Sequence, residues 1–394
     1  MSRPLPKTSA EPTPRIVAGG GESLAVPTRA GAVVHVDLEA IVGNWRHLMA
    51  VAAGVPAAAV VKADAYGLGS GPVASALARA GCRTFFVAHP EEGLALRAAV
   101  PGADILVLHG LVPGLQADMR AHGLTPVLST LGQIAAWSAE ARACGRALPA
   151  ALHVDTGMAR LGLSEAEVER LAAEPERLKG LDLRLVISHL ASAEEPDNPS
   201  NERQRVTFER LRARLPAAKA SFANSSGVFL GAPYHFDLLR PGAALYGIAP
   251  RPGAPNPMAP VVRVSGRVLR VAELPEGTAV GYGGRYVTPA PRRVATVSVG
   301  YADGFFRALA GKAHAGFAGV KLPVVGAVSM DMITVDVSAL PPDALREGAF
   351  IDVIGGDADG VDTLATAAGT IGYELLTSLG ARYERRWHGA GHTL

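Results

Sequence analysis

The segment Ala59-Val60-Val61-Lys62, the helical spacing of Gly71–Ala80 and the segment Thr84-Phe85-Phe86-Val87-Ala88 together read as one strand–helix–strand unit. Both apolar runs are short and continuous, as in strands whose two faces are covered. Six further runs repeat the pattern: Ile105–His109, Thr125–Ser129, Ala151–Asp155, Arg184–Ser188, Ala220–Ala223 and Phe236–Arg240. Between them Glu91–Val100, Leu131–Ala143, Glu165–Ala173 and Glu202–Leu215 carry apolar residues at i, i+3 or i+4. Alternating units of this kind imply a parallel sheet. Eight strands in roughly 185 residues favour a closed (β/α)8 barrel of the TIM type over an open doubly wound sheet. The open sheet would carry a dinucleotide glycine motif after its first strand, and Gly67-Leu68-Gly69-Ser70-Gly71 does not have that spacing.

After Pro260 the texture changes. Val262–Val271, Val294–Val299 and Ile333–Val337 alternate with period two, and one helical pattern returns at Thr363–Ile371. The α/β barrel is therefore expected to be followed by a mostly-β carboxy-terminal domain. The Pro-rich stretch from Pro250 to Pro257 is the candidate linker. The expected organisation is a disordered leader over 1–30, a barrel over 31–255 and a β-strand-rich domain over 256–394. Ala32–Val36 precedes the eight barrel strands and is a candidate member of the β domain.

Composition narrows the function. Among 394 residues, 48% are hydrophobic and 19% charged, which excludes disorder as the overall class. The net charge of +2 comes without a basic stripe, so no nucleic-acid partner is expected. Cys82 and Cys144 are too few for a disulfide scaffold or a cysteine zinc site, which suits a reducing cytoplasm and gives no reason to expect a metal. No run reaches the ~18 charge-poor apolar residues of a membrane span, and the amino terminus lacks the apolar core of a signal peptide.

Lys62 closes an apolar barrel strand, at the mouth where barrel enzymes place catalytic groups. Desolvation there would lower its pKa and make it a Schiff-base amine; the alternative is a lysine that simply snorkels into solvent. Asp155, Arg160, His189, Asn224, Ser225 and Arg240 follow later strands at the same rim. Singly each has a structural explanation, Asn224-Ser225 as a helix cap for example. Gly242 and the small Ala243 would let backbone N–H groups approach a phosphate.

These residues stand in segments that resemble bacterial alanine racemases, pyridoxal-phosphate enzymes of fold type III. The resemblance runs through Ala59–Gly67, Val154–Gly162, Asn224-Ser225, Arg240–Gly247, Val280–Gly283, Gly300–Gly304, Ser329-Met330-Asp331 and Gly372-Tyr373-Glu374. It implies pyridoxal 5'-phosphate held on Lys62, which also serves as one of two catalytic bases. Tyr282 is the other base, supplied by the partner subunit of a homodimer with composite active sites. Arg240 faces the pyridine nitrogen, supported by His189. Ser225, Tyr66, Tyr373 and the backbone of Gly242 and Ala243 hold the phosphate. Arg160 and the Met330 N–H meet the substrate carboxylate, and Tyr301 narrows the entrance. The implied reaction interconverts L- and D-alanine.

The chain departs from that family's pattern at three places. His153 stands where many members have a carbamylated lysine, Leu68 where a histidine is common, and Ala327 where arginine is usual. A broader amino-acid racemase, acting on serine for example, is the first alternative. A fold-type III decarboxylase would place an acid where Arg240 stands. A non-catalytic pyridoxal-phosphate carrier would need neither a β domain nor Tyr282.

Overall fold

The computed structural model describes residues 28–389, so most of the expected leader lies outside the described residues. Seven parallel strands follow one another around a curled sheet: Ala59–Val60, Thr84–Val87, Asp104–Val107, Leu124–Leu128, Leu148–His153, Leu181–Ile187 and Lys219–Ser221. Helices Ser70–Arg79, Pro90–Arg97, Gln116–Ala121, Leu131–Ala143, Glu165–Ala173 and Ser200–Arg212 lie between them. The strand interiors carry buried Phe85, Phe86, Ile105, Val107, Val127, Leu152 and Val186, as continuous apolar runs require.

The eighth expected strand, Phe236–Arg240, is not a regular strand. Phe236 takes φ +52° and Pro241 follows Arg240, so the segment cannot build an even ladder. It nevertheless closes the barrel. Ala58 N–H donates to Leu239 O at 2.9 Å, Leu239 N–H to Pro56 O at 2.9 Å, and Val60 N–H to Pro241 O at 3.0 Å. On the other side Arg240 N–H donates to Ala223 O at 2.9 Å. The first strand is also shorter than expected, ending at Val60, with Lys62 just beyond it.

The second sheet has eight strands, and the order places Ala32–Asp37 inside it. That strand pairs antiparallel with Val262–Leu274 and parallel with Glu384–His388. The 13-residue strand Val262–Leu274 also pairs with Arg292–Val297, which curls the sheet onto itself. Gly266 permits this crossing, because a Cβ there would sit 2.5 Å from Val297 Cγ1. Helix Leu38–Val51 leads from this sheet back to the barrel. It is capped by Asp37, whose carboxylate accepts the Ala40 N–H at 2.8 Å. Buried Asn44 then ties the two parts, donating to Leu245 O and Ala259 O and accepting from Ala259 N–H.

Leu239 is fully buried on the closing segment. Leu239→Ala is expected to cost about 2–5 kcal/mol. A lowered midpoint in urea unfolding checks this, and an unchanged midpoint would show that the irregular segment is not part of the barrel core.

Candidate functional site

Closure of the barrel brings the start and end of the β/α series to one cavity of about 1130 Å³. Its wall includes Lys62, Tyr66, Arg160, His189, Ser225, Arg240, Gly242, Ala243 and Tyr373. Nine residues singled out from scattered segments thus share one wall.

Lys62 opens a turn of unusual hand. Ala63, Asp64, Ala65 and Tyr66 all have φ between +52° and +57°. Left-handed backbone costs L-residues about 1–2 kcal/mol each, so the surrounding contacts must hold it. Its exit is well anchored. Asp64 Oδ1 accepts Ser70 N–H at 2.6 Å, Arg385 Nε donates to Gly67 O at 3.0 Å, and Trp387 Nε1 to Leu68 O at 2.7 Å. Gly67 meets two demands at once: φ is +84°, and a Cβ would approach Leu376 O to 2.5 Å. The turn carries Tyr66 into the barrel, where its ring lies 4.7 Å from that of Tyr246 and 6.0 Å from that of Tyr373. Tyr246 Oη in turn donates to Val60 O at 2.9 Å.

Arg240 is buried at the bottom of the cavity. It donates to Ser221 Oγ at 2.6 Å and to the Ser188 carbonyl, and its guanidinium lies 5.9 Å from the Phe86 ring centre. Among the described residues no carboxylate pairs with it and no hydrogen bond joins it to His189, so the expected support comes from two serines instead. Burial pushes its pKa down to about 9, leaving it charged at neutral pH. A guanidinium so placed retains donor capacity toward the cavity. Ser225 Oγ accepts the N–H groups of Gly242 and Ala244 at 3.0 and 3.1 Å, which fixes the strand-eight loop against strand seven. A Cβ at Gly242 would lie 2.4 Å from Tyr66 Oη, so any larger residue would have to displace the Tyr66 ring. Asn224 is a cap, as its structural reading allows, with Oδ1 accepting Gly227 N–H at 2.8 Å.

Lys62, Arg160 and Arg240 bring positive charge to one part of the cavity wall, and Glu194, Asp362 and Glu374 line another part of it. Burial and then the Arg160 charge hold the Lys62 amine below its ordinary range, with Glu92 opposing. His153 is pushed down to about 4 by burial and the charge of Arg240, and His189 to about 3 by burial and the charges of Arg240 and Arg160. Both imidazoles are therefore neutral at pH 7. Burial raises Tyr373 to about 12, so its phenol is a donor there.

Two family models match the chain: alanine racemase, N-terminal domain, over residues 36–250, and alanine racemase, C-terminal domain, over residues 261–387. The chain belongs to the alanine racemase family. It is 53% identical over 361 residues to a catabolic alanine racemase of Mesorhizobium japonicum, covering 91% of this chain and 94% of that one. An alanine racemase of Methylobacterium is 50% identical, covering 91% and 98%. The crystal structure of the alanine racemase from Bartonella henselae with covalently bound pyridoxal phosphate superposes with a TM-score of 0.85 at 40% identity, covering 91% of this chain and all of that one.

Three expected site residues do not reach this cavity within one chain. Tyr282 is 77% exposed, Met330 52% and Tyr301 40%. The loops of Tyr301 and Met330 are knitted together, with Tyr301 N–H on Ser329 O and Ala302 N–H on Met330 O, each at 3.0 Å. Gly300 allows that contact, since a Cβ would lie 2.3 Å from Met330 O. Sequence reading missed the left-handed turn, Ser221 and Tyr246. It also missed Glu92, although the His89-x-x-Glu92 capping box beside Pro90 signals a fixed carboxylate.

The two neutral histidines give a pH dependence with a definite sign. In an unfolded chain each binds a proton near pH 6.5, whereas in the folded chain each does so only near 3 to 4. The unfolded state thus holds more protons below 6.5, and stability falls as pH drops through that window. His153→Asn should make this loss shallower between pH 6.5 and 4, as read from urea midpoints across pH.

Proposed function

We propose that this family member interconverts L- and D-alanine with pyridoxal 5'-phosphate held on Lys62. The observation that carries the reading is Arg240: a buried guanidinium with no carboxylate partner among the described residues, facing the cavity that Lys62 lines. The residues fit the cofactor. Gly242 leaves room beside the Tyr66 hydroxyl, and the Ser225 hydroxyl, Tyr373 and the Ala243 amide offer donors for its phosphate, whereas the Gly242 N–H is already engaged by Ser225 Oγ. When bound, the cofactor withdraws electrons through its ring and so delocalises the pair left when Cα loses its proton.

With the cofactor bound, Arg240, still protonated at neutral pH, would donate toward the ring nitrogen and would leave it without a proton. By doing so Arg240 would weaken the electron sink and favour return of the proton to Cα. An acid at this position, as a decarboxylase would have, would do the reverse. Lys62, its pKa lowered by burial, takes or returns the proton on one face. Tyr282 serves the opposite face. Its exposure on its own chain supports the reading that it completes the site of a second copy, in a homodimer with two composite sites. Arg160 and the Met330 N–H would then meet the substrate carboxylate, with Tyr301 at the entrance. His189 adds a neutral imidazole to the wall and His153 replaces a carbamylated lysine. A cytoplasmic setting and the division of the chain near residue 255 belong to the same reading.

The test follows optical rotation and gas release from L-alanine. Rotation should decay to zero without carbon dioxide, and borohydride should fix the cofactor on Lys62. Stoichiometric carbon dioxide would indicate a decarboxylase, and a label on another lysine would refute the site. A serine panel run alongside measures how far Leu68 and Ala327 widen the substrate range.

The composite site makes a sharper prediction. Lys62→Ala and Tyr282→Phe proteins should each be inactive, the second while still binding cofactor, and mixing them with verified subunit exchange should restore activity. Each mixed dimer has one site with both defects and one with neither. No recovery would place both bases in one chain. Bicarbonate depletion should leave activity unchanged, because His153 cannot form a lysine carbamate; a collapse reversed by added bicarbonate would count against this.

A further inference from the structure

Lys62 lies beyond the end of its strand, so its aim depends on the left-handed turn that follows. The exit of that turn is held by Asp64, Arg385 and Trp387. At its entrance, among the described residues, the one side-chain hydrogen bond comes from Glu92. Glu92 Oε1 accepts the Ala63 N–H at 2.8 Å, while Oε2 accepts Ala88 N–H at 2.7 Å and His89 N–H at 3.3 Å. Ala88 and His89 follow the neighbouring barrel strand Thr84–Val87, and Glu92 is the third residue of helix Pro90–Arg97.

We propose that Glu92 is a positioning residue for Lys62. Its carboxylate bridges the rim of the second barrel strand to the residue after the lysine, and so holds the strained backbone that aims Lys62 and Tyr66 at the cavity. The inference rests on the reading that Lys62 holds the cofactor and moves a proton.

The chemistry requires a carboxylate of this length. Two oxygens accept from two separate strands, whereas an amide has one acceptor and would turn its NH2 toward an N–H on the other side. Aspartate is one methylene short of spanning the gap. Glu92 also places its negative charge near Lys62, opposing the Arg160 charge. Charge alone would be served by a carboxylate anywhere nearby. The bridging geometry would not, and the two can be separated experimentally.

Three holoenzymes are compared with wild type: Glu92→Gln, the double variant Ala63→Gly/Glu92→Gln, and Glu91→Gln as the neighbouring-charge control. Ala63 is exposed at the cavity rim and has φ +52°, a conformation glycine adopts without a Cβ penalty. Glu92→Gln should lower kcat roughly 10- to 100-fold, the range for misplaced catalytic groups and lost supporting contacts, with KM within about twofold. The α-deuterium isotope effect should rise with the enantiomer whose proton Lys62 takes, and not with the other. Independently of turnover, the cofactor should dissociate faster, followed by loss of its absorbance during dialysis. Relaxing the strained residue in the double variant should recover several-fold of both losses, and Glu91→Gln should match wild type.

Wild-type kinetics in Glu92→Gln would overturn the proposal. So would isotope effects rising equally for both enantiomers, which mark a general loss of structure, or no recovery in the double variant, which marks a role through charge alone. If Glu92→Gln does not fold, the double variant decides: recovered folding and turnover support the bridge, and continued failure to fold refutes it. A wild-type enzyme that neither racemises alanine nor carries cofactor on Lys62 would instead defeat the functional reading.

Discussion

The Val60 N–H points at the Pro241 carbonyl across 3.0 Å, and that hydrogen bond, with its neighbours at Ala58 and Leu239, joins the first barrel strand to the last segment. Lys62 and Tyr66 come from one side of the seam, Arg240, Gly242 and Ala243 from the other. Without closure they would lie at opposite edges of an open sheet. The seam is also where the chain tolerates irregularity: Phe236 has positive φ, Pro241 has no N–H, and Tyr246 reaches across to the Val60 carbonyl. The Ala58, Val60, Leu239 and Arg240 N–H groups there each still find a carbonyl, as a buried, irregular junction requires.

A second constraint is electrostatic. Lys62, Arg160 and Arg240 line a common cavity, and no carboxylate pairs with Arg240 among the described residues. Isolated buried charge is costly, so the surroundings respond where they can. His153 and His189 give up their protons, and the Lys62 ammonium is weakened. The same pressure that costs stability makes the Lys62 amine easier to deprotonate and leaves cationic donors at the cavity. Phosphate and carboxylate are the chemical complements of such a wall.

The carboxy-terminal sheet is not a separate appendage. It takes its strand Ala32–Asp37 from the amino-terminal side of the barrel, and helix Leu38–Val51 with buried Asn44 makes the junction rigid. The turn beside Lys62 is tied to it directly through Arg385 and Trp387. The loops of Tyr282, Tyr301 and Met330 therefore have a defined position relative to the barrel, while their side chains face outward. An outward-facing rigid edge of this kind suits completion of a site by another copy.

Much of this was legible in one dimension because it rests on local periodicity. Continuous apolar runs become strands buried on both faces, i, i+3 and i+4 spacing becomes covering helices, and alternation after Pro260 becomes the second sheet. Lys62, Arg160, Ser225, Arg240 and Tyr373 were recognisable because each sits at a strand end or in a motif matched over a few adjacent residues. The eighth strand was legible only as an apolar run, since its deviation comes from Phe236 and Pro241 meeting neighbours distant in sequence. The left-handed turn had no signature at all: Ala63, Asp64, Ala65 and Tyr66 favour a right-handed helix or extended chain on their own. Glu92, Arg385 and Trp387, contributed by other elements, help to hold them on the disfavoured side. Sequence alone determined which segments form strands and helices, because that follows from nearest-neighbour physics. The tertiary structure decided where Lys62 points, because strained backbone persists only where distant contacts outweigh local preference.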